Sequence, residues 1–313
     1  MITMVVPTRD RAHTLRRVAP SYFRQEGVSE IVFVVDAGRD DTPSVIEDVS
    51  RQFGAVHSKI VRNLTRLGAS QSRNIGVAEA ANGFILFCDD DEYLEPGYAQ
   101  TCLRKLLETG CAAVSGRRVY MLAGETPEEA VRRFGNGLRR AKPFRKSLCE
   151  YVNGAVFEGD IELPFTNAVI LTRRELLQRF PFDPHYARGN GYREETDFQM
   201  NLFVHGYRIL VTNQTHSVHL SPEQIRSGGQ AVKRWRRVYW SLHYTRYFYA
   251  KYFADYAARV GLKLPRWLAL TLFAVFLAYR EYPRPAMHWA ALKILRWRRR
   301  PRISPAAAQT GAE

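Results

Sequence analysis

The chain is poor in cysteine, in bilayer-length apolar runs and, toward its C-terminus, in acids. Its 313 residues include four cysteines, Cys88, Cys102, Cys111 and Cys149, with no CxxC pair among them. That spacing excludes a disulfide framework and a cysteine-built zinc site, so the thiols are expected to be reduced and mostly buried, as in a cytoplasmic protein. No signal-peptide-like segment opens the chain. Met1-Ile2-Thr3-Met4-Val5-Val6-Pro7 meets charge at Arg9 and Asp10 and reads as a first strand. The apolar run 267–279 has 13 residues. As a helix it would reach about 20 Å, short of the ~30 Å hydrocarbon core of a bilayer. Internal repeats are absent, and the only biased tract is the small polar tail 304–313.

The shortage of acids is local. From residue 233 onward, 17 Lys and Arg stand against three acids, Asp255, Glu281 and Glu313, whereas upstream 29 bases balance 28 acids. The net charge of +15 therefore comes from a basic tail on a neutral body. Such a tail suits an anionic surface, lipid or nucleic acid, rather than a generally basic fold.

What is present in the first 115 residues is alternation. Residues 2–6, 30–35, 59–61, 84–88 and 112–119 are short and apolar or β-branched, as buried strands are. Residues 14–23, 42–53, 69–81 and 96–107 have helical composition, with Asp41 or Thr42 and Ser70 as caps. The pattern predicts an α/β fold, a mainly parallel sheet flanked by helices.

At the end of the fourth strand stand Asp89-Asp90-Asp91. Ligands of open α/β sheets collect at the carboxyl ends of strands, and hard divalent ions take carboxylate oxygens. The same triplet also reads as an acidic turn leading to a helix near Pro96.

The segment Arg62-Asn63-Leu64-Thr65-Arg66-Leu67-Gly68-Ala69-Ser70-Gln71-Ser72-Arg73-Asn74-Ile75-Gly76 resembles the N-x-G-x-x-x-A-R-N-x-G signature of family-2 glycosyltransferases of the GT-A fold, with Ser72 in place of Ala. Other segments follow in the family's order. Val5-Val6-Pro7-Thr8-Arg9-Asp10-Arg11 resembles the opening strand and loop beside the nucleotide base. Asp36 stands where the family contacts that base, with Ala37 in place of a second Asp. Asp89-x-Asp91, with Leu94 and Pro96 following, resembles the D-x-D motif.

The resemblance implies a Rossmann-like nucleotide-diphospho-sugar transferase with a mixed sheet, inverting at the anomeric carbon. It places Pro7, Thr8, Arg9, Arg11, Asp36, Gly68, Arg73, Asp89 and Asp90 on the nucleotide-sugar donor, and Asp89 and Asp91 on Mg²⁺ or Mn²⁺. A metal bridging diphosphate oxygens acts as a Lewis acid on the leaving group, and Arg73 would add charge-assisted contacts.

In the second half, Tyr192-Arg193-Glu194-Glu195-Thr196-Asp197-Phe198 resembles the family's E-D motif, followed by Gly206-Tyr207-Arg208-Ile209. The second acid of that motif, here Glu195, would take the proton from the acceptor hydroxyl. Asn167, Glu194 and Asp197 would line the acceptor and sugar pocket, and Phe182-Asp183 would lead into it. Residues 188–191, with two glycines, are expected to form a mobile loop over the site. Of the two histidines 216 and 219, His219 is the expected metal ligand.

The catalytic domain is expected over residues 1–220, a basic, aromatic-rich helical extension over 221–303, and a disordered tail over 304–313. Ser227-Gly228-Gly229-Gln230 would order over the donor. The aromatic stripe from Trp235 to Phe253 reads as core or as a platform for sugar or lipid. Trp289, Ile294, Leu295 and Trp297 among Lys293, Arg296 and residues 298–300 read either as in-plane attachment to anionic membrane or as helices packed on the catalytic domain.

The expected acceptor is a hydroxyl of a glycan or lipid-linked glycan, in cell-surface polysaccharide or glycoconjugate synthesis. The expected location is the cytoplasm, peripherally on the inner face of the membrane. A sugar-phosphate nucleotidyltransferase would carry glycines in Thr8-Arg9-Asp10-Arg11, which has none. A nucleic-acid-binding protein would not explain the upstream acids, so no nucleic-acid partner is expected.

Overall fold

The computed structural model describes residues 1–135, 142–225 and 233–283. The first half alternates β1 (Ile2–Thr8), α1 (Ala12–Phe23), β2 (Val28–Asp36), α2 (Thr42–Gln52), β3 (His57–Asn63), α3 (Ala69–Glu79) and β4 (Phe84–Phe87). These four strands pair in parallel. β1 and β2 are buried almost throughout because helices cover both faces of the sheet.

The chain continues through β5 (Glu92–Leu94), α4 (Tyr98–Thr109), β6 (Ala113–Tyr120), α5 (Pro127–Gly135), a hairpin of β7 (Phe144–Arg145) and β8 (Glu150–Tyr151), β9 (Asp160–Glu162), β10 (Leu171–Arg173), α6 (Arg174–Arg179), α7 (Glu194–Val204) and β11 (Ile209–His219). Sheet order is β3-β2-β1-β4-β10-β6-β11-β5, with β9 also on β11. β10 runs antiparallel to β4 and β6, which makes the sheet mixed, as expected.

The expected helix caps differ. No side-chain cap bond forms at Asp41, and Thr42 Oγ1 instead accepts from the Arg11 amide at 2.9 Å. The cap of α3 is Gly68 rather than Ser70, at φ +83°. The fourth helix begins at Tyr98, after Gly97 in the left-handed region.

β11 carries a bulge that matters for the site. Its pairing with β6 passes from Thr212↔Gly116 directly to His216↔Arg117, leaving residues 213–215 without a partner on that strand. Residue 116 must be glycine there, since a Cβ would lie 2.5 Å from Tyr98 Cε2 and 2.6 Å from the Thr215 carbonyl oxygen. Beyond the bulge the strand bends and pairs His219 with Glu92 of β5. A histidine is thereby brought beside the acidic turn.

Two more helices, α8 (Arg234–Arg259) and α9 (Arg266–Glu281), follow. The later part of the aromatic stripe of α8 is core, with Phe248, Tyr249, Tyr252, Phe253 and Tyr256 packed with Phe165, Met200 and Val211, whereas Trp235 and Tyr239 at its start are exposed. All four cysteines are free and buried, as expected. Among the described residues no helix is long and apolar enough to cross a membrane. The expected donor loop at residues 227–230, the membrane-facing residues from 289 onward and the tail 304–313 lie outside the described residues.

Candidate active site

The turn Asp89–Asp91 is held from two sides. Tyr22 on α1 places its hydroxyl 2.7 Å from the Asp89 carbonyl and 2.8 Å from that of Glu92, and the Leu220 amide donates to the Asp91 carbonyl at 3.0 Å. Fixed in this way, the three carboxylates diverge. Asp91 faces β11, where Nε2 of His219 stands 3.8 Å from its Oδ1. Asp90 faces Arg11, with Nε 3.5 Å from its Oδ1, and a second arm of Arg11 lies 3.4 Å from Asp91 Oδ2. Asp89 points toward Arg73 Nη2 at 2.8 Å and Arg118 Nη2 at 3.3 Å.

The residues fit a divalent cation. Asp91, Glu92 and His219 each offer a ligand atom, all within 4.8 Å of one another. Nδ1 of His219 lies 2.7 Å from the Leu220 carbonyl oxygen, which can only accept, so Nδ1 carries the proton and Nε2 keeps its lone pair. Burial, with Arg118 nearby, lowers the His219 pKa and keeps the ring neutral. Among the described residues Glu92 Oε2 is buried with no hydrogen-bond partner, which suits a cation ligand. Burial pushes Glu92 up to about 8 although Arg118, bonded to its other oxygen at 2.5 Å, pulls the opposite way.

This cluster differs from the expected one in one residue. Asp89, anticipated as a ligand, has both oxygens facing guanidinium groups, which hold its carboxyl below the usual range against the upward push of burial. Glu92 takes its place in the cluster.

On the donor side, the loops after β1 and β2 meet. Asp10 and Ala37 both adopt positive φ, +54° and +51°, and Asp10 Oδ1 accepts from the Arg39 amide at 2.6 Å. Pro7 is half-buried, Thr8 and Arg11 are buried, and Arg9 stands 3.6 Å from Asp10. Burial pushes the neighbouring Asp90 up to about 7. Asp36 accepts from Asn63 Nδ2, the Leu67 amide and the Gly68 amide at 3.1, 2.8 and 2.9 Å. That uses three of about four lone-pair sites of a carboxylate and leaves room for one more donor. Gly68 departs from expectation. Its amide is taken by Asp36 and a Cβ on it would lie 2.7 Å from the Ala187 backbone, so it shapes the turn rather than facing a phosphate.

α3 joins the two halves of the site. Asn74 exchanges two hydrogen bonds with the backbone of Phe182, at 2.9 and 3.0 Å, and the Arg73 guanidinium lies over the Phe182 ring at 5.6 Å. Arg73 then bridges Asp89 and Glu194 at the start of α7. Burial disfavours its charge, but Glu194, Asp89 and Glu195 outweigh it and raise its pKa. Burial pushes Glu194 up to about 7 against Arg73. Glu195 is half-buried and also raised by burial, with Arg73 opposing and Asp89 adding. Of the pair, Glu194 is ion-paired with Arg73, and among the described residues no ion pair holds Glu195.

Two expected pocket residues lie elsewhere. Asn167 is buried, donates to the Gly116 carbonyl at 2.9 Å and accepts from the Val169 amide at 2.9 Å, so it braces β6 rather than lining a pocket. Asp197 faces α8, accepting from Tyr186, Tyr252 and Lys251 at 2.9, 3.0 and 2.9 Å. It lies two residues beyond Glu195 on a helix, about 200° around the axis, and therefore points away. His216 bonds Glu95 at 2.8 Å. The loop 188–191 packs on α8: Gly189 sits against Trp240, and Tyr244 donates to the Arg188 carbonyl at 2.5 Å.

Sequence reasoning missed Glu92 and Arg118. The available signals were a fourth acid directly after the triplet and two arginines inside an otherwise apolar strand, residues 113–120.

Known proteins resemble the chain in sequence and in fold. Residues 3–180 match the family described as glycosyl transferase family 2. The chain is 26% identical over 174 residues to the GalNAc(5)-diNAcBac-PP-undecaprenol beta-1,3-glucosyltransferase of Campylobacter jejuni, covering 55% of this chain and 54% of that protein. It is 29% identical over 128 residues to the pre-mycofactocin glycosyltransferase of Mycobacterium tuberculosis, covering 40% and 25%. The chain thus spans about half or less of the length of these relatives. Among solved structures, the mannosyltransferase PcManGT of Pyrobaculum calidifontis, in complex with GDP-Man and Mn²⁺, superposes with a TM-score of 0.60 at 18% identity, covering 94% of this chain and 79% of that one. S. aureus TarS in complex with UDP-GlcNAc superposes with a TM-score of 0.60 at 15% identity, covering 89% and 72%. The family match spans more than half of the chain, and the fold is that of these transferases: the chain belongs to glycosyl transferase family 2.

Proposed function

We propose that this chain transfers a sugar from a nucleotide-diphosphate sugar to a hydroxyl acceptor, with inversion and with the help of Mg²⁺ or Mn²⁺. The observation that carries the reading is the Arg73 bridge, which brings the acidic turn after β4 and the acids opening α7 into one site. The family membership and the nucleotide sugars held by structural neighbours support the donor class.

Asp91, Glu92 and His219 would hold the cation, which when bound supplies Lewis-acid stabilisation of the leaving diphosphate. Arg11, whose Nη1 has no partner among the described residues, and Arg73 add positive charge on the same side. Glu195 takes the proton of the acceptor hydroxyl as its oxygen bonds the anomeric carbon. The bond from that carbon to the diphosphate breaks, and the nucleoside diphosphate leaves with the electron pair. A raised carboxylate pKa suits a general base working near neutrality.

The acceptor we propose is a lipid-linked or cell-surface glycan, met at a membrane surface. In support, α9 exposes an uncharged face of Trp267, Leu272, Val275 and Tyr279, and surface patches of that kind serve contact.

The test is nucleoside diphosphate release from UDP-, GDP- and dTDP-sugars with glycan acceptors, with Mn²⁺ or with chelator. Release from one donor class that stops with chelator is the expected result. Metal-independent release would remove the cation from the reading, and release from none of the donors would overturn it.

A further inference from the structure

Arg193 directly precedes Glu194 and Glu195 and has φ +77°, a left-handed conformation uncommon for any residue but glycine. It is 3% exposed. Its guanidinium carbon lies 5.0 Å from the ring centre of Phe248 on α8 and 5.3 Å from that of Phe273 on α9, with Tyr192 at 5.2 Å and Phe165 at 5.9 Å. Nη1 donates to the Cys149 carbonyl at 2.7 Å and Nε stands 3.5 Å from Thr245 Oγ1, while Nη2 is buried with no partner among the described residues.

Ring faces, a carbonyl and a hydroxyl therefore meet this buried charge, without a carboxylate in contact among the described residues. Burying a cation in that way is costly, and ring quadrupoles offset only part of the cost. A strained backbone beneath it adds to the cost, and such combinations persist where the surroundings over-determine them, most often at functional sites. An apolar side chain would fill the aromatic space without desolvating a charge, so simple packing does not account for arginine here.

We infer that Arg193 is a positioning residue for the transfer reaction: its aromatic cage fixes how α7 begins and so aims Glu195. Arg73 holds the first turn of α7 through Glu194 from one side, and the cage holds the preceding residue from the other. α8 and α9 are then part of the support of the active site, coupled to it through Phe248 and Phe273. The inference rests on Glu195 as the base, as proposed above.

The test uses the full chain with Arg193→Met, Arg193→Lys and Phe273→Ala, the last on α9 and remote from substrate. Five quantities are measured: folding by circular dichroism, nucleotide affinity with Mn²⁺, kcat and KM for transfer, and hydrogen exchange of residues 194–198. In Arg193→Met, nucleotide affinity should stay at the wild-type value while kcat falls about 10²-fold, the scale of a misplaced catalytic group, and exchange in the first turn of α7 speeds up. Arg193→Lys, which keeps a cation over the rings, should recover part of kcat, and Phe273→Ala should show the same changes in smaller measure. Should Arg193→Met fail to fold, the other two variants decide. Folded variants with wild-type kcat and unchanged exchange at 194–198 overturn the inference. A wild-type chain that transfers no sugar overturns the functional reading instead, and exchange at 194–198 in the variants still decides whether the cage holds α7.

Discussion

Nε2 of His219, at the end of β11, stands 3.8 Å from Oδ1 of Asp91, in the turn that leads into β5. The ring nitrogen on its far side is tied to the Leu220 carbonyl, so the nitrogen facing Asp91 is the basic one. Two oxygen donors and one imidazole suit Mn²⁺ as well as Mg²⁺.

From this follows a spectroscopic prediction. Mn²⁺ bound to the protein should show electron–nuclear coupling to one imidazole nitrogen. His219→Ala should remove that coupling and weaken Mn²⁺ by at least about tenfold, since even outer residues of metal sites are worth that much. Coupling that survives the substitution would place the ion elsewhere.

Glu195→Gln keeps the size and the hydrogen-bonding capacity of the side chain but cannot accept a proton. kcat should fall by about 10²–10⁴-fold, the usual contribution of a general base, with nucleotide affinity retained. Unchanged turnover in the folded variant would remove Glu195 from the reaction.

The pH dependence has a definite sign. Burial raises the Glu195 pKa, Asp89 adds to it and Arg73 opposes, so the base form exists above a value higher than that of an ordinary glutamate and is lost as pH falls through it. Glu194 beside it is pushed up to about 7, and the two titrate as a pair. kcat at saturating substrates should therefore decline on the acid side above pH ~4.3, the ordinary glutamate pKa. Glu194→Gln removes a competing carboxylate from Arg73 and should move that limb to lower pH. A wild-type limb at the ordinary glutamate position would contradict the assignment.

Asp197 makes the opposite kind of prediction. It is buried among Tyr186, Tyr252 and Lys251, and Asp197→Ala strands those partners. Stability should drop by about 3 kcal/mol, the cost of breaking a buried pair, read as a lower midpoint in urea. Donor preference should not change. A changed preference with unchanged stability would return Asp197 to the substrate pocket.

For the membrane contact, the test is sedimentation with vesicles containing anionic lipid. Trp267→Glu combined with Val275→Glu places two charges on the uncharged face of α9, where the native residues are 67% and 64% exposed. Binding should fall severalfold, as expected when apolar burial in a lipid interface is lost. Equal binding by the variant would leave that face without a lipid role.

Much of this was legible in sequence. β1, β2 and β4 are continuous apolar runs because both faces are covered, and the acids at the end of β4 and the start of α7 declare themselves. What was hidden depends on long-range pairing. β5, β9 and β10 are three residues each and carry no periodic signal. The bulge in β11 packs against Gly116 and Tyr98, about a hundred residues upstream, and His219 pairs with Glu92 beyond it. Asp197 resembled a pocket residue because its place in the acidic motif says nothing of Lys251, which reaches it from α8. The pairing of Asp89 was hidden for the same reason: Arg118, which bonds it, lies 29 positions along the chain.

The most direct test of the central claim is a thermal shift of the protein with UDP-, GDP- and dTDP-sugars, each with and without Mn²⁺, in the wild type and in Asp91→Asn. A ligand that binds the native state raises the melting temperature by mass action. The account predicts a rise with one nucleotide class that requires Mn²⁺ and disappears in Asp91→Asn. An equal rise without the metal, or an undiminished one in Asp91→Asn, would contradict it.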